Sequence, residues 1–87
     1  MFSIIEQSVS ITFSNTAYKS ESVTPTAVTG YVPVGVIGYR FGSTGYSMVQ
    51  LDVRSATLLA VAAEHINGQA VTGTVTVAVR LLYKKSS

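Results

Sequence analysis

The run from Thr72 to Tyr83, TGTVTVAVRLLY, alternates branched apolar and polar side chains with a period of two. That period fits a pleated strand, because a helix would scatter the same valines around its axis. Val75, Val77, Val79, Leu81 and Tyr83 share one face, and Thr74, Thr76, Ala78, Arg80 and Leu82 share the other. The second face loses polarity toward its C-terminal half. A strand apolar on both faces lies at the centre of a two-layer structure or under a partner. The last four residues, Lys84-Lys85-Ser86-Ser87, read as a solvated tail.

Further strands precede it. Val9-Ser-Ile-Thr-Phe13 alternates in the same way, and Phe2, Ile4 and Ile5 extend it toward the N-terminus. Ser14 to Gly30 is polar and irregular, contains Pro25, and reads as the longest loop. Tyr31 to Phe41 is apolar and β-branched; Pro33 suits a strand entrance, and Gly35 and Gly38 suggest bulges or a close neighbour. Gly42-Ser-Thr-Gly45 is a turn signal before a strand from Tyr46 to Val53. Thr57 to Ile66 is ambiguous, since its alanines and leucines also fit one helical face. The Asn67-Gly68 pair and the clear strand beyond it favour a strand that hairpins directly into the final one. Closely spaced strands with Gly-rich turns predict one antiparallel β-sandwich over residues 1–87, jelly-roll-like in connectivity.

Composition narrows the function classes. With 47% hydrophobic and 11% charged residues, the chain is too apolar to be disordered. It has no cysteine, so no disulfide supports so small a core, and self-association is the remaining common support. Its six Lys and Arg are dispersed apart from Lys84-Lys85, which argues against a nucleic-acid footprint. The opening MFSIIEQSVSITF lacks the basic leader and apolar core of a signal peptide, and no run approaches a membrane span.

The expected chemistry is binding rather than catalysis. His65 is the lone histidine and no serine sits in a GxSxG elbow. Glu6, Glu21, Asp52 and Glu64 are scattered, so neither paired-carboxylate chemistry nor a zinc site is expected. The stretch GVIGYRFGSTG holds neither GxGxxG nor GxxxxGK[ST], and no cofactor is expected. Tyrosine offers contact area at low entropy cost with a polar tip. Tyr18 and Tyr46, beside expected loops or turns, and Lys19 next to Tyr18 are therefore the candidate ligand-binding residues, glycans being one class of ligand. Tyr31, Tyr39 and Tyr83 are expected in the core or at a subunit interface.

Gly30-Tyr-Val-Pro-Val-Gly-Val-Ile-Gly-Tyr39, with its hydroxyl-rich turn, and Val75-Thr-Val-Ala-Val-Arg-Leu-Leu-Tyr-Lys-Lys85 together resemble a group of small phage modules. These are β-sandwich domains of tail-fibre and head-fibre tips and capsid-decoration proteins. The likeness covers mainly residues 30–46 and 71–85, and Thr57 to Ile66 departs from it. It implies a homotrimer, a place in the virion after synthesis in the host cytoplasm, and contacts with other virion proteins. The alternatives are a carbohydrate-binding attachment domain and an inhibitor of one host protein.

Overall fold

A computed structural model describes residues 1–86. The chain is all-β: β1 (Phe2–Thr16), β2 (Tyr18–Val23), β3 (Tyr31–Phe41), β4 (Tyr46–Ser55), β5 (Leu58–His65) and β6 (Val71–Lys85). They form two antiparallel three-stranded sheets, with orders β1-β6-β3 and β2-β5-β4. We call the first the long sheet and the second the short sheet. One apolar core joins them, made by Val9, Ile11 and Phe13 of β1, Leu59, Val61 and Ala63 of β5, and Val75 to Tyr83 of β6 on alternate positions. The alternation read in the last strand therefore sets its inner face, and β6 is the centre of its sheet.

The connectivity follows from one shared corner. Each sheet holds one member of β1/β2, β3/β4 and β5/β6, so each pair crosses between the layers. Ala17 alone separates β1 from β2, and the crossing follows Asn15 at φ 51° and a register shift between Phe13 and Thr16. Asn tolerates the left-handed region better than most residues. The crossings are tied together: His65 N–H donates to the Ala17 carbonyl (2.8 Å) and Ile66 N–H to the Gly45 carbonyl (2.9 Å). At the opposite end, residues 24–30 close the gap between the layers. Gln7 Nε2 donates to the Thr24 carbonyl (3.0 Å), while Gln7 Oε1 accepts from Thr26 N–H (2.8 Å) and Thr26 Oγ1 (3.0 Å).

Three sequence expectations change. Residues 18–23 are a strand, not part of a long loop, because the buried β5 takes a partner on each edge. Their alternation is real but muted: Ser20 and Ser22 face out while Lys19, Glu21 and Val23 face in along the layer's edge. Residues 58–65 do form a strand, yet they do not hairpin with β6; β5 pairs with β2 and β4, and Asn67-Gly68 lies in the crossing to the other sheet. Pairing on both sides and burial of Leu59, Val61, Ala62 and Ala63 outweigh the helix preference of the alanines. Finally, Lys84 and Lys85 are strand residues paired with Phe2 and Tyr31; Ser87, the end of the expected tail, lies outside the described residues.

The glycine reading of β3 holds. Register shifts fall between Pro33 and Gly35 and between Val36 and Gly38, making Val34 and Ile37 the extra residues of two bulges. In β4 a shift between Met48 and Gln50 breaks the alternation, so Tyr46, Met48, Leu51 and Val53 all pack against the core.

Candidate functional site

The three residues singled out by sequence do not converge. Tyr18 opens β2 opposite Glu64, on the outer face of the short sheet, and is 46% exposed. Thr16 Oγ1 donates to its carbonyl (3.0 Å), which holds the strand start in place. Lys19, one position on, points the other way and lies 3.8 Å from Glu21 Oε1. Tyr46 pairs with His65 on the inner face and is half-buried in an aromatic cluster. Its ring centroid is 5.2 Å from Phe13, 6.2 Å from Phe41 and 5.5 Å from His65. Tyr46 thus packs among aromatic rings on the inner face, while Tyr18 lies on the outer one. Of the other tyrosines, Tyr83 is buried, Tyr31 is partly buried and Tyr39 is half exposed. Burial raises the Tyr83 phenol above its ordinary pKa of 10.0.

The outer face of the long sheet carries a feature that the tyrosines did not point to. Phe2, Ile4 and Glu6 of β1 lie opposite Lys84, Leu82 and Arg80 of β6, and these in turn face Val32, Gly35 and Gly38 of β3. Phe2 is 61% exposed, Ile4 59%, Ile37 50% and Val34 47%, around the half-buried Leu82. Gly35 and Gly38 add no side chains between them, and a Cβ at either would meet nothing within 4 Å. At Gly38 the surface dips into a shallow depression of about 220 Å³, bordered by Glu6, Ile37, Tyr39, Arg40 and Arg80. One sequence signal could have found this face: Phe2 and Ile4 share the parity of Glu6, Ser8 and Ser10, not that of the buried Val9, Ile11 and Phe13.

A second depression, of about 270 Å³, lies at the end closed by residues 24–30, between that loop, Tyr31, Pro33, Tyr83 and the β4–β5 turn at Ala56-Thr57. Among the described residues, no three His, Asp or Glu side chains gather as metal ligands, and no helix is long and apolar enough to cross a membrane. No family model, curated protein or solved structure matches this chain.

Proposed function

We propose that this chain is a non-enzymatic structural module that assembles with copies of itself and with other proteins of a phage virion, as a capsid-decoration or fibre-head piece. The observation that carries this reading is the outer face of the long sheet, where Phe2, Ile4, Val34 and Ile37 are all exposed around Leu82. Contiguous apolar surface on a small domain marks an interaction site, because covering it removes area from water at about 25 cal/mol per Å². Within this reading the two layers are a jelly-roll-like sandwich, and the sequence likeness to phage modules supplies the setting. The glycan-binding alternative has less to draw on: Tyr18 offers one exposed ring, while Tyr46 is packed against Phe13 and Phe41.

Light scattering on the native chain is the first test. An oligomer is expected, and a monomer of 9.2 kDa at micromolar concentration would overturn self-assembly. Ile37→Asp combined with Ile4→Ser should weaken assembly while leaving the fold intact, since both side chains face solvent. Mass spectrometry of purified particles from a producing culture should find the chain, and its absence from them would remove the virion from the proposal.

A further inference from the structure

We infer that the free edge of β1 pairs with the β1 edge of a second copy, antiparallel about a two-fold axis, to join two long sheets into one of six strands. This rests on the proposed self-assembly and adds to it a backbone contact at the edge of the same sheet.

The backbone defines that edge. Lys85 N–H donates to the Met1 carbonyl (3.1 Å), and the register opposes residues of β1 and β6 whose numbers sum to 86, as in Phe2 with Lys84. In an antiparallel ladder the bonded residues alternate. Odd-numbered residues of β1 therefore bond to β6, and the even-numbered ones aim N–H and C=O away from it. From Phe2 to Thr12 these are Phe2, Ile4, Glu6, Ser8, Ser10 and Thr12. Among the described residues no protein group bonds to their backbone on that side.

The other three edges are each blunted. β2 is six residues long and points Lys19 and Glu21 inward. β3 contains Pro33 and two bulges, and β4 carries shifts between Met48 and Gln50 and between Val53 and Ser55. Short strands, inward charges, proline and bulges all prevent strand addition. β1 has none of these before its shift after Phe13, and its one charge is Glu6. Among the described residues β1 is the one open edge, so its regular counterpart lies in another copy of itself, which makes the contact isologous. A ring of three, which the phage likeness implies, would need β1 to pair with one of the blunted edges if it were built by strand addition.

Charge selects the register. Even residues must oppose even residues, so the paired numbers sum to an even total. A sum of 12 sets Glu6 against Glu6 of the second copy, which repulsion disfavours. A sum of 16 runs the pairing into the irregular stretch after Phe13. A sum of 14 keeps the whole regular run and places Glu6 opposite Ser8, Ile4 opposite Ser10 and Phe2 opposite Thr12. The serine hydroxyl then meets the carboxylate as a donor.

The test uses the full chain. The native protein should scatter light as about twice 9.2 kDa at micromolar concentration. Ser8→Pro removes an N–H that points to the open edge, so it should keep the β circular-dichroism signal but give the monomer mass. Val9→Pro removes a donor to β6 and should unfold the chain. Because the chain has no cysteine, Glu6→Cys and Ser8→Cys chains can be mixed and oxidised. Opposed residues of a bonded pair lie about 5.5 Å apart at Cα, within disulfide reach. The mixture should give a covalent dimer, and each variant alone should not. A monomeric native chain overturns both this inference and the self-assembly on which it rests. An oligomer that gives no mixed disulfide and survives Ser8→Pro overturns the edge contact alone. Should Ser8→Pro unfold the chain, the disulfide result decides.

Discussion

The Tyr83 phenol donates to the backbone carbonyl of Thr26, joining the inner face of β6 to the loop that closes one end of the two layers. Gln7 holds the same loop from β1 through Thr24 and Thr26. Tyr83→Phe keeps the ring and removes the bond, and should cost about 1 kcal/mol. The melting temperature should fall by roughly 4–8 °C for a domain of this size. Thermal melts would measure it, and an unchanged melting temperature would deny the bond a structural role.

The same phenol gives a pH dependence with a definite sign. Its folded pKa lies above 10.0 because burial disfavours the phenolate. The folded state therefore holds the proton more tightly, and stability is full below pH 10 and falls as pH rises from there through the folded value. Melts across the alkaline range should show a shallower decline in Tyr83→Phe than in the native chain. Equal slopes would place the loss on other groups.

Val77 is fully buried at the centre of the core, while Thr76 beside it faces out. Val77→Asp places an unpaired charge among apolar side chains and should unfold the domain, a cost beyond about 4 kcal/mol. Thr76→Asp should stay within about 1 kcal/mol of the native stability. Comparable damage from both, seen in denaturant titration, would mean that the outer face is covered as completely as the inner one.

Glycines at two places should respond oppositely to alanine. Gly45 sits at φ 94° in the corner, and its carbonyl accepts from Ile66 N–H. Gly45→Ala strains that backbone by about 1–3 kcal/mol. Gly35 has an ordinary φ and open space around a would-be Cβ, so Gly35→Ala should fall within about 0.5 kcal/mol of native. Urea midpoints of the two variants compare them directly.

Lys19 and Glu21 face inward on the edge strand β2. The pair lies at the layer's rim and is only partly covered, so it adds little to stability, and its effect is on partners that would otherwise add a strand there. Lys19→Val with Glu21→Val should leave the melt nearly unchanged yet raise turbidity on incubation. A clear solution from the double variant would show that the edge is guarded by something else.

Much of the fold was legible in the period-two runs, because burial of one sheet face writes itself directly into alternate residues. Val9 to Phe13 and Val75 to Tyr83 were readable for that reason, and so were the bulges at Gly35 and Gly38. What the residues of one segment do not contain is the identity of its neighbour. Asn67-Gly68 looks like a tight hairpin, and only the demand of β5 for β2 and β4 turns it into a crossing. Tyr18 to Val23 hid for a similar reason, since an edge strand with inward charges carries no apolar stripe. The candidate site was less legible still. Tyr46 signals a surface by its chemistry and a core by its neighbours Phe13 and Phe41, which are distant in sequence.

The pairing of β1 with β6 has a consequence during synthesis. Phe2 meets Lys84 and Thr16 meets Val71, so the first strand made within this chain is completed by the last. At roughly 5–20 residues per second, β1 waits several seconds on the ribosome with both flanks bare. Loop closure over such separations is also slow, which places folding in the ms–s range of non-local β topologies. The hydroxyl-rich outer row of β1, Ser8, Ser10 and Thr12, lowers the hazard of that interval, and the apolar Phe2 and Ile4 concentrate it at the very start of the strand. Crowding of nascent chains on one message would bring these segments together before either has a sheet to join.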